Sequence, residues 1–176
     1  MKSALIVVDM LNTYEHEDAN RLTDSVHAAL PGIETLIERA RREDVPIIYV
    51  NDNYGDFSAC RPELVRRALD GRAPELIEPI APPADVAFVV KARHSIFYET
   101  QLEYLLRQQQ IERIVLTGQV TEQCILYSAL DGYVRHFAGV PRDAVAPIYD
   151  DLATAALQMM ERTMDADVSD SEQCEL

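Results

Sequence analysis

A chain of 176 residues, of which 48% are hydrophobic, has the size and composition of one folded domain with a complete core. Thirty Asp and Glu residues against sixteen Lys and Arg residues give a formal net charge of -14 at pH 7. Charge of this sign opposes binding to nucleic-acid phosphates and to anionic membrane surfaces. We therefore predict a single domain over residues 1–176, with neither a nucleic acid nor a membrane as its partner.

The cysteines and the N-terminal residues indicate a compartment. Cys60, Cys124 and Cys174 are odd in number and widely spaced, which favours neither a disulfide framework nor a zinc site. The apolar run at residues 4–8 is short and ends in an aspartate, so it does not resemble a signal peptide, and no stretch is apolar enough to span a membrane. We predict a protein of the reducing cytoplasm.

Strand-like and helix-like segments alternate along the chain. Continuous aliphatic runs predict buried strands at residues 4–8, 46–50, 86–90 and 114–116, with weaker candidates at 138–145 and 166–169. Apolar residues at helical spacing predict helices at residues 24–30, 31–40, 61–69, 100–109, 122–136 and 152–164. We expect a loop at residues 15–23 and an acidic surface tail at 170–176.

This alternation predicts a mainly parallel sheet with right-handed crossovers and helices on both faces. The predicted fold class is α/β: a single-domain, Rossmann-like three-layer α/β/α sandwich with six strands in the order 3-2-1-4-5-6. In this order strands one and four are neighbours, and a crevice lies between their carboxyl ends. Asp9 follows strand one and Cys124 follows strand four, so the order brings the two residues together.

Cys124 is the central residue of the functional prediction. Gly118 ends strand four, Thr121 is a good N-cap, and Cys124 would take the third position of the following helix, where the helix dipole favours a thiolate. Taken alone, a free cysteine in an apolar helix is more often a small core residue. Its place at a strand-to-helix junction favours a reactive role, because open α/β sheets bind ligands beyond the carboxyl ends of their strands.

Two charged residues occupy equivalent places, since Asp9 follows strand one and Lys91 follows strand three. A thiolate near a lysine is expected to have a lowered pKa and to attack an electrophilic carbon. In this hypothesis Cys124 is the nucleophile and Lys91 stabilises negative charge. Asp9 takes the thiol proton and returns it to an amine or ammonia leaving group. Backbone N–H groups of residues 118–124 are the predicted donors to the oxyanion.

Four motifs occur in order along nearly the whole chain. They are Leu5-Ile-Val-Val-Asp9-Met-Leu-Asn12, Tyr49-Val-Asn-Asp-Asn-Tyr-Gly55, Lys91-Ala-Arg-His-Ser-Ile-Phe-Tyr98 and Leu116-Thr-Gly-Gln-Val-Thr-Glu-Gln-Cys124. Together they resemble the isochorismatase-like cysteine hydrolases of the isochorismatase/nicotinamidase superfamily. The resemblance implies a catalytic triad of Asp9, Lys91 and Cys124 and a cis peptide bond between Gln119 and Val120. It also implies an oxyanion hole made by the N–H groups of Val120 and Cys124.

One departure from the family pattern concerns metal binding. The nicotinamidases of this family carry metal ligands in an Asp-x-His pattern after strand two, whereas this chain reads Asp52-Asn53-Tyr54. Its dispersed histidines favour surface or structural roles over metal ligation. They are His16, His27, His94 and His136, of which only His94 lies beside a catalytic motif. We predict no metal and no cofactor.

The presence of the cysteine favours C–N bond hydrolysis, because the isochorismatases that this chain resembles cleave a vinyl ether and often lack that residue. We predict a hydrolase that cleaves a small amide, carbamoyl or ureido-type substrate through a thioester. Residues in or beside the motifs are candidates to line the substrate pocket, although packing under loops explains any one aromatic equally well. These candidates are Tyr14, Asn53, Phe97, Tyr98, Gln119 and Tyr127.

Two alternatives stay open at this point. One is an isochorismatase-type vinyl-ether hydrolase in which Asp9 is the acid and Cys124 is incidental. The other is a non-catalytic binding relative that keeps the fold. In each case the apolar helical surface at residues 129–134 and the family resemblance predict a homo-oligomer, either a dimer or a tetramer.

Overall fold

The computed structural model describes residues 1–135 and 138–176. Five parallel strands form one sheet: β1 Ser3–Val8, β2 Ile47–Asp52, β3 Ala87–Lys91, β4 Arg113–Gln119 and β5 Val145–Ala146. The α-helices are α1 Ala19–Arg42, α2 Arg61–Leu69, α3 Leu102–Gln108, α4 Leu126–Arg135 and α5 Asp150–Thr163. The strand order is β3-β2-β1-β4-β5, so the predicted fold class and the order of the first five strands are confirmed.

The predicted sixth strand is wrong. In the described part of the chain, residues 138–144 and 166–169 form only isolated bridges, from Gly139 to Val115 and from Gly139 to Asp167, and the fifth strand is confined to Val145–Ala146. The Asp167 side chain explains why an extended strand does not continue. Its Oδ1 accepts the N–H of Ser169 at 3.1 Å and its Oδ2 accepts the Arg113 guanidinium at 3.0 Å, which turns the backbone locally.

The sheet separates two cores, and β1 contributes to both of them. Leu5 and Val7 pack with α1 and α2 on one face. Ala4, Ile6 and Val8 pack with α3, α4 and α5 on the other face. Because side chains alternate across a strand, a run of aliphatic residues without polar interruption is what a strand covered on both faces requires.

The N-terminal helix is longer than predicted. We expected a loop at residues 15–23 and a helix boundary at Pro31, whereas α1 begins at Ala19, within the expected loop, and runs unbroken through Pro31. Its buried stripe, which includes Leu22, Val26, Ile33 and Leu36, continues on either side of the proline. Burial of four such side chains, at roughly 1.5–3 kcal/mol each, outweighs the roughly 3 kcal/mol cost of an internal proline. No helix in residues 1–135 and 138–176 is long and apolar enough to cross a membrane.

The acidic C-terminal tail packs more closely than a surface tail would. Cys174 is fully buried, and the Arg39 guanidinium of α1 donates to the carbonyl oxygens of Cys174, at 3.0 Å, and of Ser171. The Ser171 hydroxyl donates to Asp143 at 2.6 Å. These contacts hold the tail against the α1 face of the domain.

Candidate active site

Three side chains from distant parts of the sequence meet at the carboxyl edge of the sheet. Asp9 follows β1, Lys91 is the last residue of β3, and Cys124 lies in the turn after β4. Lys91 Nζ lies 2.8 Å from Asp9 Oδ2 and 3.6 Å from Cys124 Sγ. The exposed fractions of Asp9, Lys91 and Cys124 are 6%, 1% and 9%. Each of the three is therefore largely removed from bulk water.

The position of the Asp9 carboxylate is set by the neighbouring strand. Asp9 adopts a left-handed backbone conformation, with φ of 55°, and its N–H donates to the Val50 carbonyl at 2.9 Å. Asp9 Oδ1 accepts the backbone N–H of Asp52 at 2.7 Å, while Oδ2 accepts from Lys91. Both carboxylate oxygens are held, so the group has a single orientation relative to the sulfur.

A second carboxylate at the site was not among the predicted residues. Asp52 is the partner of Lys91 in the register of β2 and β3, and its Oδ2 lies 3.3 Å from Lys91 Nζ. Its position at the end of a buried strand, like that of Asp9, is the sequence signal that points to it. Asp52 therefore contacts the ammonium as a second carboxylate beside Asp9.

The same contact bears on metal binding. Asp52 stands where the nicotinamidases of the family carry the first ligand of the Asp-x-His pattern, but here its carboxylate is engaged by Lys91 and by the Tyr54 N–H at 2.7 Å. Residues 1–135 and 138–176 contain no cluster of three metal-ligating side chains. Among the predicted non-ligand histidines, His27 Nδ1 contacts the Thr23 carbonyl, and His136 lies outside the described residues. The residues present do not fit a metal site of the family type.

The backbone changes direction at residues 118–120, just before the turn that carries Cys124. Gly118 has φ of 114°, and a Cβ there would lie 2.2 Å from the Val8 carbonyl oxygen. The peptide bond between Gln119 and Val120 is cis, as the family resemblance implied. Thr121–Ile125 then forms a π-helical turn before α4. Such π turns are rare and are often found at functional sites.

The predicted N-cap at Thr121 is wrong. Val120 holds the extended conformation of the cap position, so Thr121 is already helical, and its buried hydroxyl has no hydrogen-bond partner within the described chain. The Val120 carbonyl accepts the N–H groups of Gln123 and Ile125 at 3.0 and 3.1 Å. Cys124 lies between these two residues in the sequence, and its N–H does not donate to the Val120 carbonyl.

The ionisation of the site differs from the prediction. Burial, followed by the charge of Asp9, raises the pKa of the Cys124 thiol, and Lys91 only partly opposes this effect. Burial also raises the pKa of Asp9, against the lowering effect of Lys91. Burial disfavours the Lys91 ammonium, but the negative charges of Asp9 and Cys124 outweigh burial and raise its pKa. The expected lowering of the thiol pKa is therefore wrong.

Two carboxylates face the buried ammonium, since Asp9 Oδ2 and Asp52 Oδ2 lie 2.8 and 3.3 Å from Lys91 Nζ. The raised pKa of Cys124 favours the protonated thiol. A base is needed when the sulfur attacks, and the Asp9 carboxylate contacts the ammonium beside that sulfur.

Four of the six candidate pocket residues lie behind the site or in the packed interior. Tyr14 and Gln119 are buried and bonded to each other at 3.3 Å, and Gln119 Nε2 donates to the Asp9 carbonyl at 2.6 Å. The Asn53 carboxamide is buried and accepts the Gly55 N–H at 2.9 Å. The Arg135 guanidinium lies over the Phe97 ring, with Cζ of Arg135 5.1 Å from the ring centroid.

The other two candidates, Tyr98 and Tyr127, lie on an open groove beside the sulfur. Both are about half exposed and share the groove with Leu130 of α4 and with His94 of the loop after β3. Nδ1 of His94 lies 3.7 Å from Cys124 Sγ, a neighbour that the sequence prediction did not assign to the site. The groove therefore adjoins the sulfur through His94.

The fold and the site define an α/β protein with a Cys-Lys-Asp cluster at the carboxyl edge of a parallel sheet. The model of the isochorismatase domain matches residues 3–173, so the chain belongs to the isochorismatase family of hydrolases, and the predicted resemblance is confirmed.

Individual relatives are similar over most of their length. The uncharacterized isochorismatase family protein YaaI of Bacillus subtilis is 36% identical over 171 residues, which are 97% of this chain and 94% of the relative. The ureidoacrylate amidohydrolase RutB of Enterobacter sp. is 28% identical in an alignment of 166 positions that covers 78% of this chain and 72% of the relative. The structure of N-carbamoylsarcosine amidase from Thermoplasma acidophilum matches with a TM-score of 0.77 at 32% identity, covering 100% of both chains.

Proposed function

We propose that this protein is a cysteine hydrolase that cleaves a C–N bond of a small amide, carbamoyl or ureido-type substrate through a thioester. The observation that carries the proposal is the buried Lys91 ammonium, 2.8 Å from the Asp9 carboxylate and 3.6 Å from the Cys124 sulfur. Two of the similar proteins, an N-carbamoylsarcosine amidase and a ureidoacrylate amidohydrolase, bear names of this reaction class. These likenesses support the proposal.

In the proposed acylation step, Cys124 Sγ forms a bond to the substrate carbonyl carbon while Asp9 accepts the thiol proton. Asp9 then gives that proton to the leaving nitrogen as the C–N bond breaks, and ammonia or an amine departs. Lys91 stays charged and keeps Asp9 oriented toward the sulfur. The raised pKa of Asp9 strengthens it as a proton acceptor, which suits a group that takes the thiol proton.

Negative charge develops on the carbonyl oxygen during the attack. We propose that the N–H groups of Val120 and Cys124 donate to this oxyanion. Both groups belong to the turn between β4 and α4 that carries the sulfur, which supports the proposal. Loss of one such donor typically lowers kcat by about 100- to 1000-fold.

A vinyl-ether hydrolase with Asp9 as the acid is the second candidate. The raised pKa of Asp9 favours it, because a carboxyl that holds its proton more strongly can act as an acid. The contact between the lysine and the sulfur favours the first candidate, since vinyl-ether cleavage by Asp9 makes no use of the thiol.

The test is a screen for ammonia release over a panel of small amides, N-carbamoyl compounds and ureido acids. The wild-type protein should release ammonia from at least one class, and Cys124→Ala should lower the rate by about 10⁴-fold or more, as loss of a nucleophile does elsewhere. Cys60→Ser, which removes an exposed thiol, is the matched control and should keep full activity. Retention of most of the rate in Cys124→Ala on a vinyl-ether substrate would support the second candidate.

We further propose that the chain forms a homo-oligomer in the cytoplasm, with the exposed face of α4 against a second copy. Leu130 and Val134 on this face are 47% and 72% exposed, whereas Ala129 on the opposite face is fully buried. Apolar side chains that lie together on one exposed helix face are typical of contacts between subunits.

The double variant Leu130→Glu with Val134→Glu is expected to convert the oligomer to a monomer, because four charged side chains cannot be buried across a two-fold contact without partners. Light scattering after size-exclusion chromatography measures the mass. Leu152→Glu with Met159→Glu places the same charge on the exposed apolar residues of α5 and should leave the mass unchanged. A monomeric wild-type protein, or an unchanged mass in the α4 variant, would contradict the proposal.

A further inference from the structure

The sulfur of Cys124 has a second polar neighbour that the proposed triad does not use. His94 Nδ1 lies 3.7 Å from Cys124 Sγ, nearly the distance of 3.6 Å that separates the sulfur from Lys91 Nζ. The two neighbours differ in exposure, because Lys91 is buried and His94 is exposed. The sulfur therefore lies between a buried ammonium and an imidazole that is open to water.

The loop after β3 is fastened to the helix that follows the nucleophile. The Ser95 hydroxyl donates to the Asp131 carboxylate on α4, and the His94 ring packs against Tyr127 on the same helix, with centroids 5.3 Å apart. The histidine is thus held by α4, and the cysteine lies in the turn that leads into this helix. The contact between Nδ1 and Sγ follows from that shared support.

The second half of a thioester reaction needs a group that takes a proton from the attacking water. Asp9 is buried, and its carboxylate accepts hydrogen bonds from Lys91 Nζ and the Asp52 N–H. His94 is exposed and contacts the sulfur, so water from the solvent can reach its imidazole. Imidazole is a common proton acceptor and donor in catalysis.

We propose that His94 is the catalytic base of thioester hydrolysis, an inference that rests on the proposed function. Water forms a bond to the thioester carbon while one of its protons moves to Nδ1 of His94. The C–S bond then breaks, the product acid leaves, and the sulfur takes the proton from Nδ1. The cycle restores the thiol and the neutral imidazole, with water as the co-reactant.

The experiment uses p-nitrophenyl acetate, which acetylates thiols and releases coloured p-nitrophenolate whatever the natural substrate is. All proteins carry Cys60→Ser, so that the exposed thiol does not contribute. His94→Asn keeps a polar group near the position of Nδ1 but cannot act as a base, and His94→Phe keeps a ring without a polar atom. His27→Asn, at an exposed histidine on α1, is the matched control.

For His94→Asn and His94→Phe we expect a burst of about one equivalent of p-nitrophenolate at a rate within about fivefold of the parent protein. Steady-state turnover should fall about 100-fold, the usual contribution of a general base. Intact-mass spectrometry should find an acetyl group accumulating on Cys124. His27→Asn should behave like the parent.

Equal losses in the burst and the steady state, or an unchanged steady state without accumulated acetyl-enzyme, would overturn the role of His94. A burst that survives Cys124→Ala in the same background would instead argue against the proposed function, because the nucleophile would then be another group. Circular dichroism melting curves check that each variant is folded. The two failures are therefore distinguishable.

Discussion

Replacing Asp9 with asparagine is expected to abolish hydrolysis and, at the same time, to make Cys124 more reactive toward iodoacetamide. Hydrolysis should fall at least about 100-fold, because the variant has no base for the thiol proton. Alkylation should become faster because, after burial, the charge of Asp9 is the largest influence that raises the pKa of the thiol. Without that charge the Lys91 ammonium, 3.6 Å away, favours the thiolate.

The pH dependence of alkylation shows whether Asp9 raises or lowers the pKa of the Cys124 thiol. In the wild-type protein the raised thiol pKa keeps Cys124 protonated at pH 7, so alkylation should be slow and should rise steadily into the alkaline range. In Asp9→Asn the rise should occur at lower pH, with about a tenfold gain in rate at pH 7 for each unit by which the pKa falls. Slow alkylation of the wild-type thiol at neutral pH is therefore compatible with catalysis.

Peptide mass spectrometry measures this reaction at each cysteine separately. Cys60 is exposed and distant in sequence from the site, so its alkylation serves as the internal reference and should be equal in both proteins. An unchanged or slower alkylation of Cys124 in Asp9→Asn would show that the carboxylate does not oppose the thiolate. The proposed proton transfer between the two residues would then lose its basis.

Replacing Gly118 with alanine is expected to lower the free energy of unfolding by about 3 kcal/mol or more and to remove activity. The new Cβ would lie 2.2 Å from the Val8 carbonyl oxygen, at a backbone φ of 114° that residues other than glycine rarely adopt. The clash is with backbone of the neighbouring central strand, so a rotamer change cannot relieve it. For a domain of this size the loss corresponds to a fall in Tm of roughly 10 °C.

Gly55→Ala is the matched control for this variant. Gly55 also has a positive φ, of 81°, but a Cβ there would meet no atom within 4 Å. Gly55→Ala is expected to lower the free energy of unfolding by only about 1 kcal/mol, because the positive φ is then its sole cost. Thermal melting and urea titration measure both variants. Equal destabilisation of the two would mean that the close approach of β4 to β1 contributes little.

Several features of the fold were predictable from sequence because they depend on local composition. The aliphatic runs before Asp9 and Lys91 indicate buried strands whatever the rest of the chain does, and a polar residue at the end of such a strand indicates an active edge. The continuation of helix α1 through Pro31 was not predictable in this way. The core on the α1 face decides whether a helix continues through a proline, and that core is assembled from many segments.

Sequence patterns were enough to predict the α/β alternation and the three polar residues proposed as a triad, and precedent supplied the order of the central strands. The folded structure was needed to show that Asp52 faces the ammonium, that His94 contacts the sulfur and that burial raises the pKa of the Cys124 thiol. The physical reason is that strand periodicity is a property of neighbouring residues, whereas desolvation and charge coupling depend on groups brought together by folding. A cysteine has the same side chain in every sequence, and its proton affinity depends on where the fold places it.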